Sequence, residues 1–170
     1  FVDYSKAYDR VPRNILLRIL ISLGCSALML YALVHMYSST FSIIGSSVVT
    51  ATIGVRQGSP LSGFLFIMFM NGLIRLMKQR CHEDGWLKWL HTLLLMDDAI
   101  ILATSYESFL YKLEVLHEYC DTHGMLVNET KTKFMVINGN NDDRIDIQWY
   151  GIVIKHCWKY VYLGALFTSD

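Results

Sequence analysis

The sequence has no surplus of charge. Fifteen basic residues stand against fifteen acidic ones in 170, so no overall positive field advertises a nucleic acid, and any grip on a polyanion must be local to a cleft or supplied by further sequence. It has no paired cysteines either. Cys25, Cys81, Cys120 and Cys157 are scattered without a Cys-x-x-Cys element, a usage that fits buried thiols in a reducing compartment rather than a disulfide framework. His117, Cys120 and His123 recur every three residues, but the run wants a fourth ligand and matches no zinc spacing. The N-terminus lacks a basic flank, apolar core and cleavage site in that order, so no signal peptide is visible. Repeats and low-complexity tracts are absent too. The apolar stretch from Leu61 to Met77 is broken by Ser62, Asn71 and Arg75 and is short for a spanning helix, which predicts a buried core helix and no membrane partner.

What is present is apolar mass. With 53% hydrophobic residues in 170, the chain suits one domain, or a piece of one, with a sizeable core. It opens on Phe1-Val2-Asp3 without an initiator methionine and closes on Ser169-Asp170, which reads as a fragment of something longer.

Local signals then order the elements. Phe1 to Tyr4 suits a strand end leading into a turn or short helix at Ser5 to Asp9. Pro12 opens a helix through Leu20 that Gly24 ends, and Ser26 caps a second helix running to about Tyr37. Residues 41–55, rich in Ile, Val, Thr and Ser around Gly45-Ser46-Ser47, read as a hairpin. Gly54 and Gly58 bracket a loop, and Ser59 before Pro60 launches an apolar helix over 60–79. Residues 84–104 read as strand, turn, strand. A helix from about Tyr106 to Thr122 places Phe109, Leu110, Leu113, Leu116 and Tyr119 on one face and stops at Gly124. A β-prone run at Lys133 to Ile137, a polar turn at Asn138 to Arg144 and short strands ending at Tyr160 to Phe167 complete the chain. Strands mixed irregularly with helices favour an α+β layer, helices on one face of an antiparallel sheet.

One feature resists a purely structural reading. Asp97 and Asp98 sit side by side between Leu93-Leu94-Leu95-Met96 and Ala99-Ile100-Ile101-Leu102. Burying one ionised carboxylate without a partner is costly and two repel, so the pair implies a cation or a tight exposed turn. As turn residues alone they would be unremarked, since Asp is common wherever chains bend. If the strand carrying Asp3 pairs with this hairpin, three carboxylates meet. Magnesium favours such oxygen ligands, and two ions about 4 Å apart clamp both oxygens of an in-line phosphoryl displacement.

Five segments in order then carry a resemblance: Phe1-Val2-Asp3-Tyr4-Ser5-Lys6-Ala7-Tyr8-Asp9-Arg10-Val11-Pro12, Gly54-Val55-Arg56-Gln57-Gly58-Ser59-Pro60-Leu61-Ser62, Met96-Asp97-Asp98, Gly124-Met125-Leu126-Val127-Asn128-Glu129-Thr130-Lys131-Thr132, and Tyr162-Leu163-Gly164. Together they resemble the ordered motifs of reverse transcriptases from non-LTR, LINE-like retrotransposons, over nearly the whole chain. The resemblance implies one partial reverse transcriptase domain over residues 1–170 with a polymerase palm, an RNA template, a DNA primer, a dNTP, and an intracellular location in nucleus or cytoplasm. It implies Asp3, Asp97 and Asp98 as ligands of two Mg2+ ions, for which Mn2+ can substitute. Tyr8 then takes the aromatic position under the incoming sugar, where a ring disfavours a 2′-hydroxyl; as a residue it reads equally as core packing. Arg56-Gln57-Gly58 becomes the loop beside nucleotide and template, or in bland terms a connector with a glycine turn. Lys131 matches a lysine proposed to protonate the departing pyrophosphate, with Lys133 a rival and a solvated surface lysine the plain alternative. Tyr162, Leu163 and Gly164 resemble a hairpin gripping the primer end, or a strand closing on glycine.

The chain also departs from that pattern. Leu95-Met96 replaces an aromatic and a small residue before the aspartates, Gly63 stands where many relatives have proline, and Ser59 is a mild change. Finger strands with basic residues are expected before Asp3 and a thumb after Asp170, both in the parent polyprotein. An alternative stands beside the enzyme: an inactive retrotransposon remnant that keeps the palm fold or weak nucleic-acid binding. A module that binds other proteins through the 60–79 helix is a third reading.

Overall fold

A computed structural model of the chain describes residues 1–38, 40–81 and 90–169. They fall into two compact units, Lys6–Gly72 and Phe1–Ser5 with Leu73–Asp170.

In the unit Lys6–Gly72, a short helix α1 (Ala7–Arg10) precedes α2 (Arg13–Ser22) and α3 (Ala27–Ser38). Pro12 occupies the N-cap of α2 in extended conformation, one place earlier than a proline in the first turn. Gly24 adopts a left-handed φ of 80° after α2, and the Ser26 hydroxyl accepts the Met29 N–H at 3.3 Å at the start of α3, as the sequence predicts. The hairpin β1 (Phe41–Ile44) and β2 (Ser47–Thr50) pairs Ile44 with Ser47, so its turn is the two residues Gly45-Ser46. The long helix α4 (Pro60–Arg80) begins in this unit. It is long and apolar enough to cross a membrane by length and composition alone, a test that a buried core helix also passes. Its buried apolar residues, Leu65, Phe66, Phe69, Met70, Leu73 and Met77, recur at helical spacing and form the stripe of a core helix. Each such side chain contributes on the order of 1.5–3 kcal/mol of transfer free energy.

The unit Phe1–Ser5 with Leu73–Asp170 contains β3 (Thr92–Leu95), β4 (Asp98–Ile101), α5 (Tyr106–His123), β5 (Lys133–Phe134), a 3₁₀ turn at Asn141–Arg144, and β6 (Ile147–Trp149), β7 (Ile152–His156), β8 (Lys159–Tyr162) and β9 (Ala165–Thr168). The strand-turn-strand expected over 84–104 is seen as β3 and β4; its residues 84–89 lie outside the described ones. Ser105 caps α5 by accepting the Ser108 N–H at 3.1 Å, and Gly124 closes it at φ 66°. The packed face of α5 is Leu113, Val115, Leu116, Tyr119 and Cys120, together with Lys112. Leu110, expected inside, is 40% exposed. Lys112 takes the interior instead because its stem is apolar and its ammonium reaches the Leu102 carbonyl. Arg80 grips both carboxylate oxygens of Glu118, tying the end of α4 to α5.

The α+β class holds, with strands divided into small sheets. β3–β4 and β8–β9 are antiparallel ribbons, while β7 lies between β5 and β6. β7 pairs antiparallel with β6 but parallel with β5, a departure from the all-antiparallel expectation. The physical reason is that β6 and β7 form a hairpin joined by Tyr150-Gly151, leaving β5 the free edge of β7 in β7's own direction. The expected strand 133–137 shrinks to Lys133–Phe134, and Asn138 turns left-handed at φ 55° soon after.

Candidate active site

The first segment reaches the hairpin through a single antiparallel bridge. Val2 pairs with Ala99, the Val2 N–H donating to Ala99 O at 2.7 Å and the Ala99 N–H to Val2 O at 3.1 Å. Both side chains are buried. In an antiparallel register the next residue of one strand faces the previous residue of the other, so Asp3 comes opposite Asp98 on the face away from Val2 and Ala99. Asp98 is the first residue of β4, and Met96-Asp97 is the turn. Burial, then the charges of Asp97 and Asp3, push the Asp98 carboxyl above its usual range, and Lys131 partly offsets this. Among the described residues, no three His, Cys, Asp or Glu side chains close to metal-binding range. The carboxylates share one electrostatic neighbourhood without forming a coordination group.

The segment after α5 wraps the backbone of Asp3. The Asn128 N–H donates to Asp3 O at 2.8 Å, and the Asp3 N–H donates to Thr132 Oγ1 at 3.2 Å. The Lys133 N–H reaches Phe1 O at 3.1 Å. Asn128 is itself fixed, its side-chain oxygen accepting the N–H and hydroxyl of Thr130 at 3.1 and 2.8 Å. This loop delivers Lys131, whose Nζ lies 3.4 Å from Asp3 Oδ2. Its rival Lys133 is in β5.

The β8–β9 ribbon meets the same site. The Tyr162 hydroxyl donates to the Asp98 carbonyl at 3.3 Å, and the Tyr160 hydroxyl to the Lys131 carbonyl at 3.3 Å. The Tyr160 ring stacks on Phe1 with centroids 4.0 Å apart. Burial first, then the nearby Asp3 and Asp98 charges, raise the Tyr160 phenol; burial, then Asp98, raises that of Tyr162. Leu163 and Gly164 form the two-residue turn, both left-handed at φ 50° and 81°.

Tyr8, Arg56, Gln57 and Gly58 lie together in the unit Lys6–Gly72. The Tyr8 ring stacks on Phe66 with centroids 4.6 Å apart. Its carbonyl accepts the Val55 N–H at 2.8 Å, and Gln57 Nε2 donates to Asp9 Oδ1 at 3.3 Å. Arg56 turns back to the Met36 carbonyl at 2.7 Å. Gly58 is exposed at φ 83°, with open space where a Cβ would stand.

Sequence reasoning gave no role to Asn128, Thr132 or Tyr160, although all three hold the site. An Asn two residues before a Thr is a turn signal, which was readable; a hydroxyl bonding a backbone 129 residues away has no local signature.

The donor set has the chemistry of a hard divalent cation site: carboxylate oxygens, like-charged and facing one another, with the Asp98 acid pushed upward by burial and then by the Asp97 and Asp3 charges. The fold and this site define an α+β domain with an acidic centre on a β-hairpin. Residues 1–167 match the reverse transcriptase (RNA-dependent DNA polymerase) family, and the chain belongs to it. Members of that family are nucleotidyltransferases that generally use divalent metal ions and act on RNA, DNA and dNTPs.

Proposed function

We propose that this chain carries out RNA-templated DNA synthesis as the palm of a non-LTR, LINE-like reverse transcriptase, the primer 3′-hydroxyl displacing pyrophosphate from the α-phosphate of a dNTP. The order and spacing of the five motifs support the subtype. The observation that carries the chemistry is the Val2–Ala99 register, which faces Asp3 with Asp98.

Asp3, Asp97 and Asp98 would hold Mg2+, or Mn2+ in its place, and such ions supply charge neutralisation at the phosphates and activation of the attacking oxygen. Lys131, beside Asp3, offers a proton to the departing pyrophosphate. The half-buried Tyr8 ring excludes a 2′-hydroxyl by sterics, and Gln57 hydrogen-bonds at a base or sugar edge. Arg56 and Gly58 shape the same loop. Tyr162, Leu163 and Gly164 hold the primer end, with Tyr162 anchored on Asp98.

The test is primer extension on an RNA template with and without magnesium, comparing the chain with Asp98→Ala. Magnesium-dependent synthesis lost in the variant supports the reading; synthesis retained by Asp98→Ala ends it. A second reading, a palm that keeps the fold without the chemistry, is favoured by Leu95-Met96, which stand where the family pattern has an aromatic and a small residue before the aspartates. It predicts no extension by the unaltered chain.

A further inference from the structure

Arg13 makes an unusual set of contacts. Its Nε donates to Gly54 O at 2.9 Å, one terminal nitrogen to Tyr37 O at 3.0 Å and Ala51 O at 2.8 Å, and the other to Ile53 O at 3.1 Å. Four of the five N–H donors of a guanidinium are thus given to backbone carbonyls, and no carboxylate is involved. The guanidinium carbon also lies 4.9 Å over the Tyr37 ring. Tyr37 is in the last turn of α3, where helix carbonyls lack intrahelical partners and a cation is favourable.

Residues 51–55 join β2 to the Arg56-Gln57-Gly58 segment and belong to no helix or strand. Their backbone is fixed from two sides. Arg13 takes the carbonyls, while the Gly54 N–H goes to Val11 O and the Val55 N–H to Tyr8 O, each at 2.8 Å. Gly54 and Val55 are buried, whereas Arg56, Gln57 and Gly58 are exposed. The exposed segment therefore starts from a point pinned to both Arg13 and the residue Tyr8. Gln57 closes the circuit on Asp9.

We propose that Arg13 is a positioning residue for the nucleotide site: by gathering four carbonyls it fixes the loop that presents Gln57 and Gly58 in register with Tyr8. This rests on the reading above that Tyr8 and the loop flank the incoming nucleotide. Arg13 touches neither substrate nor reacting atoms in this scheme; it acts through the backbone. Lysine keeps the charge but has only three donors on one point, so it cannot reproduce a planar set of four.

The test has two arms. In the first, amide hydrogen exchange at Gly54 and Val55 is compared in the chain, Arg13→Lys and Arg13→Ala, with the Val2 and Ala99 amides as the reference for global unfolding. The expected result is exchange about tenfold faster or more at Gly54 and Val55 in Arg13→Lys, the effect of losing roughly one to two hydrogen bonds, and faster still in Arg13→Ala, with the reference amides unchanged. Equal acceleration at all four amides, or none at Gly54 and Val55, overturns the proposal. The second arm measures dNTP against NTP in primer extension. A displaced loop raises KM for dNTP more than it lowers kcat and reduces the dNTP-to-NTP ratio several-fold, whereas a smaller folded fraction cancels from that ratio. Local loosening with an unchanged ratio and KM overturns the link to the nucleotide site. If the unaltered chain makes no DNA, the polymerase reading itself falls, and with it that link, while the exchange data still decide whether Arg13 holds the loop.

Discussion

Lys131 sets its Nζ 3.4 Å from Asp3 Oδ2, joining residues 128 apart in sequence. The lysine side chain is 65% exposed and the aspartate 18%, so the pair is a cation at the mouth of an acidic recess. It stands where a divalent ion would also be drawn. Two unit charges 4 Å apart interact by about 1 kcal/mol in water and more near a protein surface. Lys131→Gln should therefore bind Mn2+ about fivefold more tightly, as read by titration calorimetry or electron paramagnetic resonance, while extending primers more slowly. Unchanged Mn2+ affinity would mean that Lys131 lies outside the ion's field.

Asp98 is held at a cost to the fold. Burial first, then the adjoining Asp97 and the facing Asp3, disfavour its charge. Asp98→Asn removes one of the repelling charges and keeps the shape, so it should raise Tm by a few degrees in chelator-containing buffer, the stability-for-function trade that the proposed metal-binding role implies. Magnesium should raise the Tm of the unaltered chain by preferential binding to the folded state and have a much smaller effect on the variant. A lower Tm for Asp98→Asn in chelator would show that the carboxylate makes a stabilising contact instead.

Much of the helical structure was legible because its signals are local. Ser26, Gly24 and Gly124 act within one turn of the residues they cap, and their chemistry is the same in any fold. The hairpin β3–β4 was legible from the interruption of an apolar run. What was not legible depends on register or on backbone acceptors. That Leu110 lies outside and Lys112 inside follows from the Leu102 carbonyl being within reach, and nothing in the local pattern reveals an acceptor ten residues away. Asp3 opposite Asp98 needs the Val2–Ala99 bridge, since a one-residue slip would turn Asp3 to the other face. Arg13 escaped notice for the same reason: its partners are carbonyls, which every residue has.

His156 gives the unit containing the β5–β7–β6 sheet a sensitivity to acid. Its ring lies edge-on to Phe134 and Trp158, at 5.3 and 5.0 Å. Burial, then the Arg144 cation, lowers its pKa from 6.5, with Asp146 acting the other way. A histidine whose folded pKa is depressed is bound by fewer protons when folded, so stability is full above the unfolded value of 6.5 and falls as pH drops from there toward the folded value. His123, lowered by burial against a raising hydrogen bond to the Tyr119 carbonyl, adds in the same direction. The urea midpoint should fall between about pH 7.5 and about pH 5, and less steeply in His156→Phe, which keeps an aromatic ring and cannot be protonated. Identical slopes would assign the acid lability to other groups.

Gly54 and Gly58 offer a controlled comparison of what a methyl group costs in one loop. Both are left-handed, at φ 85° and 83°, so alanine at either meets a backbone penalty on the order of 1–2 kcal/mol. They differ in surroundings. A Cβ at Gly54 would stand 2.8 Å from the Asp9 carbonyl oxygen, whereas one at Gly58 meets nothing within 4 Å. Asp9 has little room to retreat, because its own N–H is bonded to Lys6 O at 3.0 Å and the adjoining Tyr8 carbonyl holds Val55 at 2.8 Å. Gly58→Ala should therefore show the conformational penalty alone, while Gly54→Ala should lose about 2–4 kcal/mol in urea unfolding, backbone clash added to strain. Equal losses would mean that α1 shifts to admit the methyl group, and the tie between this loop and Tyr8 would then be looser than the hydrogen bonds indicate.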